Sequence, residues 1–457
     1  MMKASRPTTK VTTAVTRVVL LLLCVLAVLS AVRTLQNSLG RRGASDFHPY
    51  WLHGLNLRQG RDPYRASLEG VEPEPPIHFL DGQLITEYPV ARPNLGRTLV
   101  NTAPLTLLLF TFSLVSWPFA RGIWLVANMV LALYVPQLVF KVFPDPQAFT
   151  RAERCALTLA FFSLASTRAS VWAGQTTLTV FALMLATLLW RNRVTPGLPR
   201  AGSLLMAGIC LGFALSKYSL ALPLLLLLIL RLRRGDWLIA GVSIGVQLLG
   251  ILVVAGLAGV SPAAVVADYV DRFQYMARLS MHGGVQLITS IGLKDDTASL
   301  MGAGLLLACT AALGYWWRRR RLCIQLRPMA EYLMLTILIL LALLVSYHRV
   351  YDVALAVLLV PLGWQAALQR GAWGLSRLQA RFVQLGTVGF AAILLLPSET
   401  MSVLLSQAHA SLWILLVRRA VQSALVIALV ASVWLLVRLR QPEYLVLSAE
   451  DAAVGRA

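Results

Sequence analysis

An all-α polytopic membrane protein with about twelve transmembrane helices is the fold class this sequence predicts, and three observations carry that expectation. Of its 457 residues, 58% are hydrophobic and 13% charged, where soluble domains run at roughly 45–50% and 25%; the mean hydropathy is +0.70. The apolar residues also fall in repeated runs near the length that crosses a bilayer as a helix, about 20 residues. Finally, 41 Lys and Arg, against 20 Asp and Glu, cluster between those runs. A net charge of +21 on a soluble chain would suggest nucleic acid. Here it follows the arrangement of cytoplasmic loops beside anionic lipid, so membrane lipids are the expected partners and nucleic acid is not. Cys24, Cys155, Cys210, Cys309 and Cys323 show no paired ligand spacing, and neither disulfides nor a cysteine metal site is expected.

Backbone crossing lipid must satisfy its own amides, so each span is read as a helix. The expected spans lie at 13–35, 122–141, 155–171, 176–190, 201–216, 218–230, 237–258, 298–317, 329–346, 352–369, 383–397 and 419–437. The first, preceded by Lys3, Arg6 and Lys10, imitates a signal peptide but lacks a small-x-small cleavage site and is kept as a span. Segment 101–117 is apolar but short, and counting it as a span flips every later loop. If it does not cross, Arg151 and Arg154, Arg191 and Arg193, Arg231 with Arg233 and Arg234, Arg318 to Arg321, Arg370 with Arg377 and Arg381, and Arg438 with Arg440 all share the side of the N-terminus. The positive-inside rule selects that arrangement, with 101–117 on the outer leaflet and both chain ends cytoplasmic. The chain then reads as one integral-membrane domain, 1–457. It has a long outer loop at 36–121, a second at 259–297, and a cytoplasmic tail at 441–457.

Ionisable groups at the mouths of membrane helices are costly unless they face a polar cavity, so each is a functional candidate. Asp46, in Ser45-Asp46-Phe47-His48-Pro49-Tyr50, follows the first span. It reads either as a solvated loop carboxylate among several or as a general base for a sugar hydroxyl. Lys217 reads either as a lysine snorkelling from a helix end or as an inward point charge suited to a phosphate. Ser346 to Asp352 brings His348, Arg349 and Asp352 together. An interfacial aromatic belt explains Tyr347, Tyr351 and Arg349 there, but not His348 beside Asp352; Arg and His both donate well to phosphate oxygens. Gly174-Gln175 is by itself a helix start as readily as a site. No HExxH, P-loop, GxGxxG after a strand, or GxSxG occurs in a credible context. His48 and His53 have no carboxylate pair at ligand spacing, and no metal is expected.

Taken in order, Asp46-Phe47 with Tyr50, then Gly60-Arg61-Asp62-Pro63-Tyr64, Glu87-Tyr88-Pro89, the Pro104 helix, Trp124 with Asn128, Gly174-Gln175, Ala201-Gly202 ahead of Lys217, and His348 with Tyr351-Asp352 form a pattern. It resembles the GT-C superfamily of polytopic glycosyltransferases, and most closely glycosyltransferase family 87, which includes polyprenol-phosphate-mannose-dependent mannosyltransferases. The resemblance covers nearly the whole chain and implies a membrane-associated helix between the first outer loop and the second span. Two stretches depart from the family's usual pattern: Val90 to Arg97 is longer and more basic, and Thr176-Thr177 stands where an Asn is common.

The resemblance implies a polyprenyl-phosphate-linked sugar donor, with mannose inferred from the family's best-known members. It implies a lipid-linked or cell-envelope glycan acceptor, inversion, and no cofactor. Asp46 would be the base, and Lys217, His348 and Arg349 the cations on the leaving phosphate. Asp352, Tyr50, Asp62, Tyr64 and Gln175 would support them, with Asp352 a candidate to hold His348 in one tautomer. Two other classes fit the composition: a lipid or sugar transporter or flippase, which usually carries paired broken helices not found here, and a non-catalytic phosphosugar-binding relative.

Overall fold

The computed structural model describes residues 10–40, 43–44, 46–69, 102–145, 149–192, 200–231, 233–279, 295–319, 327–345, 350–368, 373, 375–395 and 411–438. Every regular element among them is helical. In order they are α1 (Lys10–Leu39), α2 (His48–Arg58), α3 (Pro63–Glu69), α4 (Ala103–Phe110) with a 3-10 turn at Thr111–Leu114, α5 (Trp117–Val142), α6 (Arg151–Ser163), α7 (Ala165–Ala173) and α8 (Thr177–Asn192). There follow α9 (Arg200–Ala214), a 3-10 turn at Leu215–Lys217, α10 (Tyr218–Leu230), α11 (Arg234–Ala258), α12 (Pro262–Leu279) and α13 (Asp295–Arg319). The chain ends with α14 (Arg327–Val345), a 3-10 helix at Val350–Leu358, α15 (Leu359–Leu368), α16 (Arg377–Leu395) and α17 (Ser411–Arg438).

The described residues of the twelve expected spans lie almost wholly on helix, but twelve crossings are not established: span 298–317 lies on α13, which is not among the membrane-length apolar runs, and others are too short or bent. Among the described residues seven runs, Arg200–Leu230 counted as one, are long and apolar enough to cross by length and composition, or eight if the bent α6–α7 pair is one span. Expected span 155–171 is that pair, bent by 56°. The segments at 176–190 and 352–369 are shorter apolar helices, Thr177–Asn192 and Asp352–Leu368. Ala103–Leu114 is likewise short; its 12 residues rise about 18 Å, well under a bilayer's hydrocarbon thickness.

The run Arg200–Leu230 is continuous in hydropathy, yet it folds back at Leu215–Lys217. A Cβ at Gly208 would meet Val242, and one at Gly212 would meet Val246, so α9 and α11 run parallel at a constant register. That register sets Asp236 level with Gly202, and Arg231 reaches Asp236 at 3.7 Å. A straight helix would carry Arg231 about 43 Å from Gly202. The two expected spans 201–216 and 218–230 are therefore the arms of a helical hairpin with Lys217 at its tip. Gly208 and Gly212, four residues apart, are the small-residue seam that lets α9 and α11 approach. Gly250 does the same for α4, where a Cβ would lie 2.7 Å from Pro104.

Apolar all round, a helix is either buried in the bundle or faces lipid. Helix α14 is the first kind: every residue from Tyr332 to Val345 is buried. The long helix α1 is the second, exposing Leu21, Leu22, Val28 and Leu29 by more than 60% each.

Helices α8 and α10 start together and end together. Thr177 to Arg191 and Lys217 to Arg231 are each 15 residues, a rise of about 21 Å. At their C-terminal end, which also carries the basic loops, Arg191 Nε lies 2.6 Å from Asp236 Oδ1 and its Nη1 3.1 Å from Glu331 Oε2. Arg231 Nη2 reaches Glu331 Oε1 at 2.5 Å, and Arg233 Nη1 reaches the same oxygen at 3.6 Å. The guanidiniums of Arg231 and Arg233 also lie over the Trp317 ring, at 5.2 and 5.8 Å. Burial, and then the neighbouring Arg191, pull Arg231 down to about 10, with Glu331 and Asp236 opposing. Cations at helix C-termini, with Asp236 in the first turn of α11, also complement the helix dipoles.

Candidate active site

Asp46 is carried by a short strap between α1 and α2, and the strap is fastened at both ends. Arg121 of α5 donates to the carbonyls of Ser38 and Gly40, the latter at 2.8 Å, satisfying acceptors that the end of α1 leaves open. Further on, Ala44 N–H donates to Trp172 O at 2.7 Å and Asp46 N–H to Ala173 O at 2.9 Å, tying the strap to the last turn of α7. Phe47 is fully buried, stacked on Trp124 at 4.8 Å and Trp117 at 5.8 Å, with Phe112 edge-on at 5.4 Å. Such ring packing adds about 0.5–1.5 kcal/mol per pair beyond burial, and it fixes the residue next to Asp46.

Gly174 is the joint between this strap and α8. It caps α7 at φ +72°, a left-handed conformation that glycine takes without penalty. A Cβ there would sit 2.7 Å from Phe47 Cβ. Its carbonyl accepts from Trp124 Nε1 at 2.9 Å, and Asn128 Nδ2 donates to Trp124 O at 3.1 Å. The Gly-Gln pair therefore has two separate tasks: Gly174 makes the turn, and the Gln175 side-chain amide donates to the Asp46 carboxylate.

Two residues on, Thr177 opens α8. Its hydroxyl donates to Asp352 Oδ1 at 2.7 Å and accepts from Lys217 Nζ at 2.8 Å, while Lys217 also pairs with Asp352 Oδ1. Thr177 is fully buried and Asp352 is 3% exposed. The Gln175 and Thr177 backbones are at most about 7 Å apart. The carboxylate–amide pair and the lysine-centred triangle thus occupy neighbouring positions where α8 and α10 begin, and both helix N-termini favour negative charge there.

Of the nine residues singled out from sequence, Asp46 pairs with Gln175 and Lys217 with Asp352, the two pairs being linked by the backbone step from Gln175 to Thr177. Asp62 and Tyr64 form a different group. Asp62 Oδ1 accepts from Tyr64 N–H at 2.8 Å and Arg65 N–H at 3.4 Å, capping α3. The Tyr64 hydroxyl lies 3.4 Å from Thr106 Oγ1, and its ring meets Tyr269 edge-on at 5.4 Å. Burial raises the Asp62 carboxyl above its usual range against those two backbone donors, and Asp268 adds to the rise. Tyr50 is partly buried between this group and the aromatic cage of Phe47. His348 and Arg349 lie outside the described residues, as do Glu87-Tyr88-Pro89, the 90–97 stretch, residues 280–294 and the tail 441–457. Asp352, expected beside His348, has Lys217 and Thr177 as partners. Among the described residues no group of three or more His, Cys, Asp or Glu is placed to hold a metal. Thr177 was not singled out from sequence, where it stood only as a departure from an Asn. Nothing local marks it, since its carboxylate partner is 175 residues away.

A bundle of apolar helices, several of membrane length, with carboxylates and a lysine gathered where the shorter helices α8 and α10 begin, defines an integral membrane protein with a polar site at one end. The family model for glycosyltransferase family 87 matches residues 101–346, more than half of the chain. The chain belongs to that family and is a membrane glycosyltransferase. The matched stretch holds Gln175, Thr177 and Lys217; Asp46 and Asp352 lie on either side of it. No curated protein and no solved structure matches the chain.

Proposed function

We propose that the chain is an inverting transferase that moves a hexose, mannose in the first instance, from a polyprenyl-phosphate sugar to a lipid-linked or cell-envelope glycan. The reaction would take place at the outer face of the membrane, with both chain ends cytoplasmic and residues 1–457 acting as one domain. The observation that supports this most is the pairing of Asp46 with a neutral amide beside a lysine-centred anion site at two helix N-termini. A carboxylate held by Gln175 keeps its orientation. An ammonium at helix starts suits a phosphate.

The chemistry needs one base and one leaving group. Asp46 takes the proton of the acceptor hydroxyl as its oxygen bonds to the anomeric carbon from the face opposite the phosphate. The anomeric C–O bond to phosphate breaks through an oxocarbenium-like state, its electron pair goes to the phosphate, and polyprenyl phosphate leaves. Charge develops on the leaving oxygens, and fixed cations aimed there contribute more in a water-poor site than in bulk. Lys217 fills that role here with His348 and Arg349, while Tyr50, Asp62 and Tyr64 shape the wall of the first outer loop. One experiment tests the reading: transfer of radiolabelled mannose from polyprenyl-phosphate-mannose to native membrane lipid extract, by purified wild type and Asp46→Asn. Transfer by the wild type and its loss in a folded Asp46→Asn protein is the expected result. Equal transfer by both contradicts Asp46 as base, and no transfer by the wild type contradicts this donor.

A further inference from the structure

We propose that Asp352 is a resident counter-anion that competes with the donor's phosphate for Lys217 and thereby drives release of polyprenyl phosphate; this rests on the donor reading above. Lys217 is already paired in the structure. Its ammonium meets Asp352 Oδ1 and, at 2.8 Å, Thr177 Oγ1. The Asp352 carboxylate thus sits where an incoming phosphate would be drawn: against a lysine, a hydroxyl, and the starts of α8 and α10. A phosphate approaching Lys217 must displace that carboxylate or share the ammonium with it, and like charges side by side are costly in a buried site.

The element that carries Asp352 suits a displaceable group. Val350–Leu358 is a nine-residue 3-10 helix running directly into α15. Runs beyond three or four residues are uncommon because their hydrogen-bond geometry is poor, and they often mark a hinge. Winding part of this segment into α-helix continuous with α15 would shift Asp352 along and around the helix axis. The contact with Lys217 is also made by a single-point ammonium on a flexible stem rather than by a guanidinium fork, which makes exchange of partners easier.

The benefit lies in the product. The donor phosphodiester carries one negative charge, and the leaving phosphomonoester gains a second when the anomeric bond breaks. That added charge would hold the product on Lys217. A tethered carboxylate is a competitor always present at high effective concentration, so Lys217 returns to Asp352 and the product departs.

Farnesyl phosphate, a short soluble stand-in for the product, tests this by direct binding and by inhibition of sugar transfer. The proteins compared are wild type, Asp352→Asn, Thr177→Val, Thr177→Ser and Lys217→Met. Removing the competing charge in Asp352→Asn should tighten farnesyl phosphate about tenfold and lower kcat as release slows. Thr177→Val, which unfastens the carboxylate, should move binding the same way by less, with Thr177→Ser near wild type. It carries the test should Asp352→Asn fail to fold. Weaker or unchanged binding in the carboxylate and hydroxyl variants overturns the inference, because a partner that merely orients Lys217 would cost affinity when removed. Failure of wild type to bind farnesyl phosphate contradicts the donor reading itself and takes this inference with it, whereas weaker binding by Lys217→Met alone upholds the phosphate site.

Discussion

The two ends of α8 and α10 hold the same kinds of charge about 21 Å apart and use them differently. At the basic end, guanidiniums meet carboxylates through several oxygens at once, Arg191 bridging Asp236 and Glu331 and Arg231 joining the same two acids. At the other end one lysine, one hydroxyl and one carboxylate form a triangle of single contacts. Arginine's planar fork is pre-organised and gives geometry; lysine's ammonium is a point charge on a flexible stem and trades partners readily. The first arrangement braces four helices. The second is suited to accepting a substrate.

The sharpest way to break this contrast is to remove the acid that Arg191, Arg231 and Arg233 all reach. Glu331→Ala leaves Arg231 buried against fewer anions, and losing one partner of a buried ion pair costs about 3–5 kcal/mol. A steep fall in melting temperature and in yield of folded protein in detergent is the expected outcome. Lys217→Met also leaves a buried carboxylate, Asp352, without its cation, so some loss of melting temperature is expected, but its mark is sugar transfer falling roughly 10²–10³-fold in the folded fraction, the scale of losing one stabiliser of developing charge. Gly174→Ala lies between the two. Its Cβ must push Phe47 aside at φ +72°, at a cost of roughly 1–3 kcal/mol. Because Phe47 adjoins Asp46, the rate should fall further than the melting temperature suggests, which parallel melting and kinetic measurements would detect. Gly122→Ala is the control with the smallest effect. Nothing lies within 4 Å of a Cβ there on helix α5, so a gain of about 0.5–1 kcal/mol with unchanged transfer is expected.

Much of the architecture was legible because its causes are local. Apolar runs announce helices, and the hairpin at 201–230 was legible from Lys217 interrupting the run. The 56° break between α6 and α7 was not, since nothing around Leu164 resembles a breaker such as Pro or Gly. In the candidate site, Asp46, Lys217 and Asp352 drew attention as charges in apolar surroundings, and Gln175 through its place after Gly174. Thr177 stayed hidden because a threonine at a helix start is ordinary until a distant aspartate lands on it. The brace is hidden for a related reason: in sequence the arginines mark sidedness, and the acids that bind them, Asp236 and Glu331, lie in other segments. Pairing between segments is settled by tertiary packing and leaves no local signature.

The most direct test of the division between a reacting end and a bracing end is to measure kcat and melting temperature together for Asp46→Asn and Asp236→Asn, with wild type as reference. Asp46→Asn should lose sugar transfer at an unchanged melting temperature, and Asp236→Asn should melt well below wild type while the folded fraction retains transfer. Transfer surviving in Asp46→Asn, or lost in a fully stable Asp236→Asn, would contradict the assignment of the two ends.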